Sequence, residues 1–219
     1  MGQFHFDVPS TASDQMDAVL WQDAYICGIE GVPWHSKIRF DGERLTIHRG
    51  IDSSGKLYIA VPLEGLGYRT LSTCSLRPRP ENPYCLMLEL ARGSCYRARV
   101  QSDAWQRAGL TLSEEFERLL EQGTARFLDA AQHSGDLKAS FRDAIDAILL
   151  LERALTELGE CYAAQSIAFR KEQSHPINTL LAGTVMPPSP TGSPMSRAFC
   201  EVFNTVSVRL NWRSEEHTS

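Results

Sequence analysis

The chain has 219 residues, 42% hydrophobic and 22% charged, with a formal net charge of −5 at pH 7. That length holds one large or two small domains, each with a real core, in an ordinary globular composition. The acidic balance argues against non-specific binding to DNA or to an anionic membrane, so neither is expected as a partner.

No apolar run approaches the roughly twenty residues needed to cross a bilayer. The opening Met1-Gly2-Gln3-Phe4-His5-Phe6 has neither a basic nor an apolar signal region, so a cytoplasmic location is the default expectation. Six cysteines occur without a Cys-x-x-Cys pair, and six histidines without close spacing, so no metal site is expected. Most of the cysteines read as small buried hydrophobes, and disulfides would require export. A Gly-rich phosphate loop, a Gly-x-Ser-x-Gly elbow and a Cys/His nucleophile phrase are all missing, so no cofactor is expected.

In chain order, residues 3–8 alternate polar and apolar side chains as a half-buried strand does. Residues 14–25 predict a short helix with Val19, Leu20 and Ala24 inward. Residues 37–40 and 44–48 flank Asp41-Gly42, a strong hairpin signal, with Ile38 and Phe40 on one face and Leu45 and Ile47 repeating that period. A second turn at residues 52–55 leads into a strand at 56–62, and residues 68–76 predict one more. The proline-rich run 78–83 closes this part, which reads as a small antiparallel sandwich.

Residues 86–108 predict a helix weakened by Gly93 and stopped by Gly109. Thr111 and Glu114 have capping-box spacing and start a helix whose stripe includes Phe116, Leu119, Leu120, Phe127, Leu128 and Ala131. Ser134-Gly135 interrupts it, and Asp136 can cap a helix over residues 137–170. That helix carries Phe141, Ile145, Ile148, Leu151, Leu155, Leu158, Tyr162 and Phe169 on one face, with a possible bend at Gly159. So short a turn predicts that the last two helices lie antiparallel.

Several clusters admit two readings. Glu114 with Glu115, and Glu157 with Glu160, are paired carboxylates or solvated helix charges. Arg92, Arg97, Arg99 and Arg107 are an anion clamp or a polar helix face. Tyr25, Trp34, Tyr58 and Tyr68 are core aromatics or exposed rings that stack on sugars.

The last part holds a short apolar run at 180–185, a loop with Pro190, Gly192 and Pro194, a helical turn around 196–201, and a β-branched run at 203–210. Two strands of this buried type are expected to continue into a larger sheet covered on both faces. Arg213 to Ser219 reads like translated sequencing-adapter DNA and is set apart from the fold, so the chain is expected to be a fragment.

Gly183-Thr184-Val185, then Phe203-Asn204-Thr205-Val206-Ser207 and Asn211-Trp212, resemble the opening of the glycoside hydrolase family 10 barrel, the family of endo-β-1,4-xylanases. The likeness covers about the last thirty residues and is to the family's Phe-Asn-x-Val-Thr phrase and closing Lys-Trp, where this chain ends its phrases in Ser207 and Asn211-Trp212. Aligned on Trp212, the positions where the family's xylanases carry a sugar-binding Glu-Asn pair and a Lys hold Ser207, Val208 and Asn211 in this chain. The resemblance implies a parent that cleaves β-1,4 linkages in plant-type polysaccharide with retention, using two glutamates on later barrel strands outside this chain. It implies that Ser207, Arg209, Asn211 and Trp212 approach the sugar, that a xylan-like polysaccharide is the partner, and that no residue here is catalytic.

The expected fold class is therefore α+β. A sandwich-like β domain (1–83), a carbohydrate-binding candidate on its aromatics, precedes a helical region with a long antiparallel pair (84–175) and the first strands of a truncated (β/α)8 barrel (176–212). The rival class is a non-enzymatic interaction or carbohydrate-binding module.

Overall fold

The first strand, β1 (Gly2–Asp7), buries Phe4 and Phe6 and turns Gln3, His5 and Asp7 outward, as its alternation requires. A computed structural model describes residues 2–9, 21–28, 30–173, 180–184 and 193–208. Within these the protein is α+β, with nine strands in three sheets and four helices, and no sheet closes into a barrel. The chain divides into two units, Met1–Ser166 and Ile167–Ser219.

In the first unit, β1 pairs antiparallel with β4 (Arg44–Arg49), which pairs antiparallel with β3 (Ser36–Phe40). Asp41 builds the turn between β3 and β4: its Oδ1 accepts from the backbone N–H groups of Glu43 and Arg44 at 3.1 and 2.8 Å. Gly42 takes φ +101°, a left-handed conformation that side chains disfavour. The register sets Ile38 opposite Ile47 and Phe40 opposite Leu45, so the hairpin expected at Asp41-Gly42 is present with its apolar faces aligned.

Tyr84 and Cys85 form β7, which joins the other edge of β1 in parallel, giving the order β3-β4-β1-β7. This strand was not expected from the proline-rich run before it, and it makes the sheet mixed. The second sheet has the order β2-β5-β6, all antiparallel: β2 (Tyr25–Cys27), β5 (Lys56–Leu63) and β6 (Gly67–Ser72). Tyr25, expected at a helix end, starts β2, while Ala24 is buried as expected and Val19 and Leu20 lie outside the described residues. The strand expected over 68–76 ends at Ser72, and Leu76 instead bridges to Gly55.

Three helices follow. The first, α1 (Leu86–Arg107), runs unbroken through Gly93. A Cβ there would lie 2.8 Å from the Ser72 carbonyl carbon and 3.1 Å from Thr73 Cα, so glycine lets the helix lie directly on the end of β6. In α2 (Glu114–Gln132) the cap is Ser113 rather than Thr111: its Oγ accepts from Phe116 N–H at 3.2 Å and donates to Glu157 at 2.8 Å. Thr111 is engaged by Gln165, which accepts from its N–H at 2.9 Å and donates to its carbonyl at 2.7 Å.

The long helix is α3 (Leu137–Glu172), with Asp136 accepting from Lys138 N–H and Ala139 N–H at its start. Its 36 residues give a length of about 54 Å. Contacts between α2 and α3 run in opposite order along the two chains. Ser113 meets Glu157, Gly123 faces Leu151, Ser140 donates to the Ala130 carbonyl, and His133 pairs with Asp143, so the helices are antiparallel. Ile148, Leu151 and Leu158 of the expected stripe are buried, whereas Tyr162 is exposed and stacks on Trp105 at 4.5 Å.

One core joins these parts. Phe4, Phe6, Leu45 and Ile47 of the first sheet pack with Ile26, Leu57, Ile59 and Leu71 of the second and with Leu86, Leu90, Ile148 and Leu151 of the helices. The six thiols are free, and burial pushes those of Cys27, Cys74 and Cys85 upward, keeping them protonated and poorly nucleophilic. Among the described residues no helix is long and apolar enough to cross a membrane.

The second unit contains β8 (Ala182–Thr184), α4 (Pro194–Val202) and β9 (Thr205–Ser207). Strands of three residues thus lie within the runs expected at 180–185 and 203–210, exposed or half-buried rather than buried, with the expected helical turn between them; Val185, Arg209 and Leu210 lie outside the described residues.

Candidate functional site

The resemblance placed the sugar site at the end of the second strand run. Ser207 is the last residue of β9, exposed, and paired with Thr184 of β8. Arg209, Asn211 and Trp212 lie outside the described residues, as does the 213–219 tail. No constellation of the predicted substrate residues can therefore be drawn beyond Ser207 itself.

What surrounds Ser207 follows from the Phe203-Asn204-Thr205 phrase. β8 and β9 pair in parallel, Ala182 with Thr205, Gly183 with Val206 and Thr184 with Ser207. Asn204 closes the entry to β9: its Oδ1 accepts from Leu181 N–H at 2.8 Å and from Thr205 Oγ at 3.0 Å. The N–H groups of Asn204 and Thr205 both donate to the Leu181 carbonyl at 3.2 Å. The side chain thus performs a backbone's task at the point where the helix becomes a strand. Ser193 caps α4, accepting from Ser196 N–H at 3.1 Å. Gly183 is required by close approach, since a Cβ there would stand 2.8 Å from Phe199 Cζ and 3.1 Å from Phe203 Cδ2. Phe199 and Phe203 lie 4.7 Å apart, roofing that glycine. Leu180, Met195, Val202, Val206 and Val208 are exposed, and no described residue of the strand–helix–strand unit is buried.

The aromatic residues divide. Tyr25 and Tyr58 are cross-strand neighbours whose rings stack at 5.1 Å and 4°. Burial raises the Tyr25 phenol pKa, so that hydroxyl stays neutral and able to donate. Tyr68 lies on the same outward face of the sheet, 62% exposed. Trp34 stands apart: its indole N–H donates to Glu30 at 2.6 Å, over Gly28, where a Cβ would meet both partners. The backbone N–H of Glu30 and the Trp34 indole hold that carboxylate below its usual range.

The four arginines of α1 do not converge. Arg92 binds Glu89 at 3.1 Å and lies over Phe127, Arg97 pairs with Glu152, and Arg107 pairs with Asp103 at 2.9 Å. Arg99 lines a groove on α2 beside Glu117 and Glu121. An anion clamp is absent. Sequence reasoning missed Glu152, a buried carboxylate on α3 that accepts from Ser94 Oγ at 2.8 Å and from Arg97. Its one visible signal is an acid directly after Leu149-Leu150-Leu151.

The paired-carboxylate reading also resolves into local bonds, since Glu115 holds Arg118 at 2.6 Å and Glu157 accepts from Ser113. A groove of about 770 Å³ is bordered by Asp7, Asp41, Glu43, Arg44 and Lys138. Three of its charges are held locally: Arg44 binds Asp7 at 2.7 Å, and the N–H groups of Glu43 and Arg44 hold the Asp41 carboxyl below its usual value. No nucleophile there meets a base. Among the described residues no group of three or more His, Cys, Asp or Glu could hold a metal ion. No family model, curated protein or solved structure matches this chain.

Proposed function

We propose that this chain is the N-terminal portion of a retaining β-1,4-glycanase of the family 10 type, acting on plant polysaccharide such as xylan. The observation that carries the reading is the parallel β8–β9 pair with α4 between its strands. Parallel pairs belong to sheets covered on both faces, and this one leaves its apolar side chains uncovered. Further strands and helices would cover them, and a (β/α)8 barrel supplies both. In this reading β8 and β9 open the barrel, and the two-sheet body is a sandwich-like accessory domain.

Retention requires two carboxylates about 5 Å apart, one as acid/base and one as nucleophile. The family resemblance puts both on later strands, so this chain supplies no catalytic residue and is inactive alone. Ser207 faces the substrate end of β9, with Arg209, Asn211 and Trp212 following it. Ser207 where the family has a sugar-binding Glu weakens contact with the glycone hydroxyls and leaves the exact polysaccharide open to the rest of the barrel.

Reading the coding DNA beyond the Trp212 codon tests this directly. The expected continuation is about 250 residues, a barrel's length, with glutamates at the fourth and seventh strand ends. Its product should release reducing sugar from xylan. A stop codon directly after Ser219 would refute the reading. The second reading, an interaction module, is favoured by the exposed Tyr162 and Phe169 on α3, 47% and 60% exposed.

A further inference from the structure

The two sheets of the first unit show opposite outer faces. On the β3-β4-β1 sheet the outward positions are Lys37, Arg39, Arg44, Thr46, His48, Gln3, His5 and Asp7, charged or polar throughout. On the β2-β5-β6 sheet Lys56, opposite Cys27, opens the outward positions, and three rows follow: Tyr25, Tyr58 and Ser72; Ala60 and Thr70; Pro62 and Tyr68. Their alternates Leu57, Ile59, Val61 and Leu63 are buried. No Asp, Glu, Lys or Arg stands in those three rows.

We propose that the three uncharged rows of this tyrosine face bind a neutral, extended polysaccharide. The choice of a β-1,4-linked chain rests on the glycanase reading above, while the neutral-glycan chemistry rests on the face itself. Pyranose rings offer a flat C–H surface to an aromatic ring and hydroxyls to a polar rim, and this face offers both. The Tyr25–Tyr58 stack sits at one end, with Thr70 and Ser72 hydroxyls alongside and Tyr68 at the other end. Four residues along β5 separate the Tyr58 row from the Pro62 row, about 13 Å, and three strands span about 10 Å. That is the footprint of a short run of sugar units.

The same dimensions exclude the other occupants. A stable protein interface needs about 800 Å² on each partner, several times this footprint. A nucleic acid needs several cations for its phosphates; the three rows have none, and Lys56, next to Tyr58 on the same face of β5, stands over the Tyr96 ring at 5.9 Å. The stacked tyrosines are already ordered by their cross-strand contact, so binding freezes few rotamers.

Affinity electrophoresis of the full chain in gels containing xylan, mixed-linkage β-glucan, starch or pectin tests the proposal. Retardation is expected with at least one of the two β-linked neutral glycans. Tyr68→Ala, at an exposed position, should weaken it about tenfold, and Tyr25→Ala at least as much. Tyr162→Ala, outside the face, should leave it unchanged, with unaltered thermal melts confirming the folds. Unretarded mobility on every neutral β-glycan overturns the proposal. So does retardation that ignores both tyrosine changes, retardation by pectin alone, or a dimer in sedimentation that Tyr68→Ala dissociates. If the DNA beyond Trp212 lacks the glutamates while xylan still retards the chain, the glycanase reading fails and the glycan face stands.

Discussion

Gly93→Ala and Gly159→Ala are the same chemical change in two helices, and they should move stability in opposite directions. In a helix interior, Gly→Ala normally stabilises by up to about 1 kcal/mol, because alanine has less unfolded-state entropy to lose. Gly159 on α3 meets this condition, with nothing within 4 Å of a Cβ, so the change should raise stability by about 0.5–1 kcal/mol. At Gly93 the added methyl would fall against the Ser72 carbonyl and 3.1 Å from Thr73 Cα. Both obstacles are backbone, so no side chain can rotate away, and either α1 or the end of β6 must shift. Overpacking of this kind costs about 1–3 kcal/mol, and here the upper end applies. Setting the propensity gain against it leaves a net loss of about 2 kcal/mol. For a chain of this length that lowers the melting midpoint by roughly 4–8 °C, against a rise of about 1–4 °C for Gly159→Ala. Thermal and urea melts of both variants decide the matter. A Gly93→Ala protein that melts at or above the parent would refute the close approach of α1 to β6.

Three further outcomes follow from the same contacts. Ser113→Ala removes the α2 cap and a bond to Glu157 and should cost about 1–2 kcal/mol in urea melts, whereas Thr111→Ala keeps its backbone bonds to Gln165 and should stay within about 0.5 kcal/mol of the parent. Glu152→Leu strips Ser94 and Arg97 of their shared acceptor; Arg97 can still turn toward water, so the loss should be about 1–3 kcal/mol, and a double change with Arg97→Met should recover part of it. Burial holds His5 below the ordinary histidine value, with Arg44 and His48 adding to the effect, so the fold favours neutral imidazole while the unfolded chain takes up a proton near pH 6.5. Stability should therefore fall as pH drops below about 6.5 and level off beneath the depressed folded value, and His5→Gln should flatten that slope in melts across pH 4–8.

The elements whose signal is local were legible in the residues. Asp41-Gly42 specifies its hairpin because the aspartate caps the turn and the glycine takes positive φ, both short-range effects. Asp136 caps α3 for the same reason. What was missed depends on distant partners. Tyr84-Cys85 has no period of its own and becomes a strand because β1 offers a free edge. Gly93 reads as a flaw in a helix until the end of β6 is seen against it. Thr111 and Ser113 are both plausible caps, and Gln165, more than fifty residues on, decides between them. In the candidate site, the aromatic composition was visible, but the pairing of Tyr25 with Tyr58 and the charge-free rows needed the strand register. The separation of the α1 arginines likewise follows from their carboxylates, Glu89 and Asp103 on α1 itself for Arg92 and Arg107, and Glu152 on α3 for Arg97.

The position of β1 bears on how this protein is made. The strand is synthesised near the start of the chain, yet both its edges are occupied, one by residues 44–49 and the other by Tyr84 and Cys85. During translation Phe4 and Phe6 must wait until about eighty more residues have left the ribosome before their strand is bounded on both sides. A closing step of such long sequence separation slows folding and leaves a hydrophobic strand exposed in the meantime. Substitutions that speed hairpin formation between β3 and β4 would give β1 its first partner earlier, and should improve the yield of folded protein more than their effect on equilibrium stability would suggest.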